Sequence, residues 1–187
     1  MAASKTIQVP HLGGIKVGYA LSGDTYDASK PTCVLINAMC MTVSLYRPQF
    51  EDKKLTDAMN LLAIEPLGHG ATSCASEHFT YWDTAIMALQ VLDALGIKKF
   101  FALGTSQGGW MVVRMALLAP ERVCASLKTQ KSTSIYGRTV LIKCTPYRAT
   151  YKALATRIRT LLEYLYIILI RPKYYKFLYY GTLYTSL

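Results

Sequence analysis

Ser106 is the residue whose surroundings point most directly to chemistry. It is the centre of Gly104-Thr105-Ser106-Gln107-Gly108, a G-x-S-x-G run. An apolar segment, Phe100-Phe101-Ala102-Leu103, precedes it, and a second, Trp110 to Ala119, follows. Strand, one-residue turn and helix in that order make a nucleophile elbow. A serine at the tip of so sharp a turn has a strained backbone and an exposed hydroxyl. Side chains two residues before and after it would collide across the turn, which is why Gly104 and Gly108 are needed there. The helix behind it turns free N–H groups toward the reaction centre. The chemistry this arrangement suits is nucleophilic attack on an acyl carbonyl. The same run without chemistry is a glycine-rich strand–helix turn, and the apolar segments on both sides argue against that reading.

The elements that must hold this turn follow from the hydrophobic pattern. Residues 1–14 read as polar, then turn-like. Ile15 to Leu21 alternates as a half-buried strand does. Thr32 to Asn37 is a continuous apolar run after Pro31, suited to a strand covered on both faces. A helix is predicted over 45–59 and a strand over 61–64. The next helix runs from Tyr81 to Leu95, capped by Thr80 and closed by Gly96, with Ile86, Leu89, Leu92 and Leu95 at helical spacing. After the elbow helix, Pro120 is a stop and Arg122 to Leu127 a short strand. Alternating β and α segments with buried strands predict an α/β fold with a mostly parallel sheet and flanking helices.

Composition divides the chain in two. Residues 1–127 carry ten Lys/Arg and ten Asp/Glu, and residues 128–187 carry eleven Lys/Arg and one acid, Glu163. Ten of the fourteen tyrosines and none of the three histidines lie in the second part. The expected organisation is therefore a domain over 1–127 and a basic, Tyr-rich tail over 128–187. Five scattered cysteines without C-x-x-C spacing read as reduced thiols. No His, Cys, Asp or Glu cluster has metal-ligand spacing, and Gly104 to Gly109 lacks the lysine of a phosphate loop, so neither metal nor cofactor is expected. The first residues lack a secretory core and no apolar run reaches about 18 residues, so an intracellular protein is expected.

These segments together resemble the N-terminal half of an α/β-hydrolase. The resemblance rests on Leu35-Ile36-Asn37-Ala38-Met39-Cys40, on Glu65-Pro66-Leu67-Gly68-His69-Gly70-Ala71-Thr72, on Leu92-Asp93-Ala94-Leu95-Gly96-Ile97, and on the elbow with Ala119-Pro120-Glu121-Arg122-Val123 behind it. It implies a serine ester or thioester hydrolase acting on a small acyl substrate. Ser106 would be the nucleophile, and the backbone N–H groups of Gln107 and Met39 the oxyanion donors. Asn37-Ala38 stands where the family usually has His-Gly. The residues around Cys40-Met41-Thr42 and Glu65-Pro66-Leu67-Gly68 are similar to a fungal branch serving secondary-metabolite and host-selective toxin pathways, with several peroxisomal members. The last four residues lack a Ser-Lys-Leu address, so cytoplasm and peroxisome both stay open.

In this family the triad acid and histidine follow the serine. After Ser106 there is no histidine, and the only acids are Glu121, at a helix end, and Glu163. No triad acid or histidine is found. Of the earlier residues, His69 is expected to support its loop, His78 and Asp83 to be solvated, His11 to sit by a flexible terminus, and Asp93 to have a helix-surface or packing role. The expectation is an impaired hydrolase whose fold is truncated after the elbow and the next strand. For residues 128–187 three readings stay open: a frameshift, retained intron or truncation replacing the true second half; a membrane-surface element; and a nucleic-acid-binding segment, for which no recognised motif is present. The alternative function is a non-catalytic binding protein that uses this tail on an anionic membrane or polyanion. An uncovered sheet edge would add self-association.

Overall fold

The computed structural model describes residues 4–23, 25–129 and 140–142. They fall in the first of two units, Met1–Tyr147. Glu163, Cys144, the apolar run 161–170 and nearly all of the basic tail lie outside the described residues.

The strands are β1 (Lys5–Val9), β2 (Ile15–Leu21), β3 (Thr32–Ile36), β4 (Asn60–Ile64), β5 (Ser73–Cys74), β6 (Phe100–Thr105), β7 (Val123–Thr129) and β8 (Val140–Ile142). They form one sheet in the order β1-β2-β4-β3-β6-β7-β8, with β5 also on β2. The centre, β4-β3-β6-β7, is parallel. The flanks are antiparallel. This is the expected α/β architecture, and the elbow strand β6 lies inside the sheet, paired on both sides. The composition break at Leu127 falls within β7, and the apolar run at 140–142 adds a further strand.

The helices are α1 (Arg47–Glu51), α2 (Lys53–Ala58), α3 (Tyr81–Ala94) and α4 (Gln107–Leu118). The helix predicted over 45–59 is instead a 3₁₀ turn over Val43–Tyr46 and two short helices broken at Asp52, whose carboxylate accepts from Lys54 N–H and caps α2. Among the described residues, no helix is long and apolar enough to cross a membrane.

Three expectations need correction. Residues 5–9 form strand β1, where a polar, turn-like stretch was expected. Ile15–Leu21 is buried at every position but Lys16, in a strand paired with β1 along one edge and with β5 and β4 along the other. In α3 the buried face is Thr84, Ala85, Met87, Ala88, Val91 and Leu92, whereas Ile86, Leu89 and Leu95 are half-buried.

His11 is not loose, and Asp83 is not a merely solvated residue. His11 Nε2 lies 2.9 Å from Asp83 Oδ1, and His11 N–H donates to Gln90 Oε1. Asp83 Oδ2 accepts from the N–H and hydroxyl of Thr80, closing a capping box at the start of α3. Burial pushes the Asp83 carboxyl up, but the Thr80 donors and the His11 ring outweigh it, and the group is held below its usual range. A lowered folded pKa contributes stability above the unfolded value of about 4 and loses it as pH falls through the folded value. The stability gap between wild type and Asp83→Asn is therefore expected to narrow as denaturant melts are taken from pH 5 to pH 3. A gap that stays constant over that range would assign the pair no electrostatic role.

Candidate active site

Ser106 links β6 to α4 with no intervening residue. Its φ is +53° and ψ −115°, and its side chain is exposed. A left-handed φ at a non-glycine costs of order 1–3 kcal/mol and persists only where neighbours enforce it. Here the neighbours do. A Cβ on Gly104 would meet the backbone of Gly108, and one on Gly108 would meet the carbonyl oxygens of Ile36 and Asn37. The elbow is thus pressed directly onto the end of β3.

Tyr46, fully buried, braces the same place by joining the ends of β3 and β6. Its hydroxyl donates to the Ile36 carbonyl at 2.7 Å. That uses its only proton, so Thr105 Oγ1, 3.1 Å away, donates to the phenol oxygen. Desolvation raises the Tyr46 pKa well above its usual range, so the phenol stays a donor.

After β3 the chain makes a turn in which Met41 N–H donates to Ala38 O at 3.2 Å. Asn37, wholly buried, stitches it with its amide nitrogen on the Ala38 and Met41 carbonyls. Asn37 thereby holds the turn where the usual His-Gly is absent. The left-handed residue is Cys40, at φ +60°, the third position of the turn, where glycine is ordinarily favoured. The N–H of Met39 makes no hydrogen bond among the described residues. The N–H of Gln107 opens α4, where a helix has no internal acceptor. Among the described residues two backbone donors are therefore unclaimed, one on each loop beside Ser106.

His69 ties those loops together. A carbonyl can only accept, so its contact at 3.0 Å to Leu67 O places the ring hydrogen on Nδ1. Nε2 is then the acceptor for Cys40 N–H at 3.2 Å and for the Gln107 side-chain amide at 2.9 Å. The residue sequence reasoning passed over is Glu65. It is buried, and its two carboxylate oxygens accept from Val43 N–H at 3.2 Å and Ala71 N–H at 2.7 Å. Two glycines, Gly18 and Gly70, lie against it in the fold, since a Cβ on either would run into this carboxylate.

The other sequence candidates stand apart from this arrangement. His78 and Glu121 are exposed. Asp93 pairs with Arg122 at 2.7 Å, joining the end of α3 to the start of β7. The described cysteines, Cys33, Cys40, Cys74 and Cys124, are all free thiols. A cavity of about 380 Å³ opens beside the elbow, with His69 and Gln107 in its wall.

The model of the alpha/beta hydrolase fold family matches residues 31–126. Among curated proteins the chain is similar to a 2-heptyl-3-hydroxy-4-quinolone dioxygenase of Rhodococcus erythropolis, 29% identical across 65% of this chain and 45% of that protein. Among solved structures it is similar to a hydrolase from Pseudomonas aeruginosa, 27% identical, with a TM-score of 0.58, covering 67% of this chain and 46% of the other. An esterase from Thermogutta terrifontis shares the fold at 17% identity and a TM-score of 0.60, over 68% and 46% of the two chains. The chain spans about half the length of the relatives it matches.

Proposed function

The chain belongs to the α/β-hydrolase fold family, and on that premise we propose that it carries the nucleophile-bearing half of a serine hydrolase for ester or thioester carbonyls. The observation that carries this reading is Ser106 itself, exposed at φ +53° on a turn that Gly104 and Gly108 alone permit. In the reaction Ser106 Oγ attacks the acyl carbon, and the oxyanion that develops is met by the N–H groups of Met39 and Gln107. Losing one such donor typically lowers the rate by roughly 10²–10³. The acyl-enzyme then passes its acyl group to water.

A base must take the serine proton. His69 has its Nε2 lone pair committed to Cys40 N–H and the Gln107 amide, and no histidine follows Ser106. The chain as written is therefore expected to retain the trap for the oxyanion without efficient turnover. The resemblance around Cys40–Thr42 and Glu65–Gly68 supports a role for the parent enzyme in fungal secondary-metabolite or toxin formation, on a small acyl substrate inside the cell.

The expected result with a fluorophosphonate probe is slow covalent labelling at Ser106, with fluoride leaving, and no labelling of Ser106→Ala. Turnover of a nitrophenyl ester should remain within about 10³–10⁴ of the reaction in water. Labelling that persists in Ser106→Ala would remove Ser106 from the role.

A second reading is a binding protein using the basic residues 128–187 on anionic membrane or polyanion. The engagement of His69 Nε2 and the eleven Lys/Arg against one acid over residues 128–187 favour it. It is distinguished by co-sedimentation with phosphatidylserine vesicles in a protein whose Ser106 does not label.

A further inference from the structure

The cavity beside the elbow has an unusual lining for its size. Leu67, Phe79, Tyr81, Trp82 and Met111 make apolar and aromatic walls, and Arg114 supplies a cation. Its guanidinium lies over two of those rings, 5.1 Å from the Trp82 centroid and 5.7 Å from that of Tyr81. Nη1 donates to the Trp110 carbonyl at 2.8 Å. Nε is buried and has no hydrogen-bond partner. Among the described residues no carboxylate pairs with Arg114, although Asp27, Glu51, Asp83 and Asp93 each have a basic partner. Ring faces offset part of the cost of drawing a cation out of water, but a buried guanidinium N–H without an acceptor stays costly. An anion entering this cavity would meet the exposed part of the guanidinium and supply the counter-charge that no carboxylate of the described residues supplies.

The cavity reaches the elbow through the residue after Ser106. Gln107, whose backbone follows Ser106, has its side chain in the wall, 3.5 Å from the Tyr81 hydroxyl. Resting on the hydrolase reading above, we propose that this cavity is the substrate subsite of Ser106 and that it takes a small flat apolar group bearing a carboxylate, the carboxylate set against Arg114. The volume of about 380 Å³ is near the lower end for ligand pockets, which limits the body to one or two rings. The aromatic walls stack on that body, and the guanidinium forms a charge-assisted bond to its anionic end.

The test uses the full chain with 2-naphthoate and the neutral isostere 2-naphthamide, titrated by calorimetry. The expected result is a preference of about tenfold or more for the carboxylate, the equivalent of one charge-assisted hydrogen bond. That preference should vanish in Arg114→Gln and survive in part in Arg114→Lys. Equal affinities, no binding of either probe, or a preference that persists in Arg114→Gln would overturn the proposal. Should the variants not fold, phenylglyoxal modification of Arg114 in the wild type gives the answer by peptide mass. Protection by naphthoate but not by naphthamide supports the subsite, and equal modification overturns it. Fluorophosphonate labelling on the same sample separates the two claims. Labelled Ser106 without a carboxylate preference removes the subsite alone, and a carboxylate preference without labelling overturns the hydrolase reading and with it the role of the cavity as a substrate subsite.

Discussion

Gly108→Ala is expected to destabilise the protein by about 3 kcal/mol or more, with Gly104→Ala close behind, because neither new methyl group has anywhere to go. At Gly104 the added carbon lands on the Gly108 carbonyl group, and at Gly108 on the Ile36 oxygen. Both obstacles are backbone: the first is the opening turn of α4, and the second is the end of β3, where Ile36 is the register partner of Gly104. Relief would require β3 and α4 to separate, and that would also give up the packing of Met111, Val112 and Met115, all buried in the core. Against a total stability of roughly 5–15 kcal/mol this is a large fraction. Gly96→Ala is the control. Its φ is +72°, but an added carbon there meets nothing within 4 Å, so the cost should be the left-handed conformation alone, about 1 kcal/mol. Urea melts of the three variants check the order. A Gly108→Ala protein that melts like Gly96→Ala would mean that the elbow is looser than its geometry indicates.

What could be read from the residues in advance follows the range of the forces involved. The buried strands β3, β4 and β6 and the helix capped by Thr80 were legible because each is written in a short window of apolar residues and caps. β1 was legible in principle: Ile7 and Val9 alternate with the exposed Thr6 and Gln8. Five residues beside a flexible-looking start were too few to separate from a loop. The buried face of α3 was misjudged for a different reason. Counting large apolar residues favours Ile86 and Leu89, yet close packing admits the small Ala85 and Ala88, because they let the helix approach its neighbours. The His11–Asp83 contact spans 72 positions, and no local pattern encodes it. For the site, the motif located Ser106 and its glycines. The pairing of His69 with Cys40 and Gln107, and of Glu65 with Val43 and Ala71, depends on loops meeting across the sheet ends. Loops are brought together by the strands that carry them, so their partners become visible only after the sheet order is known.

Glu65→Gln tests whether that meeting of loops matters to the reactive serine. The carboxylate is 2% exposed and bridges Val43 N–H to Ala71 N–H, while Thr72 Oγ1 donates to the Glu65 carbonyl and receives Gly18 N–H. Glutamine fills the same space, which the notch between Gly18 and Gly70 requires, but it replaces one acceptor oxygen with a donor. One backbone N–H then faces an NH₂ group, losing a bond to a charged acceptor, and the expected cost is about 2–3 kcal/mol. Glu65→Ala removes both acceptors and opens a cavity, for about 3–5 kcal/mol. The functional consequence runs through Val43. It lies just past the turn that presents Met39 N–H, so freeing it lets that donor drift from the oxyanion. Below the melting transition, labelling of Ser106 by the fluorophosphonate should therefore fall by about tenfold in Glu65→Gln, part of the loss expected for one complete donor. A variant that melts early but labels at the wild-type rate assigns Glu65 to the fold alone. Slower labelling in a protein that is still folded makes the buried carboxylate the part that holds the oxyanion turn in place.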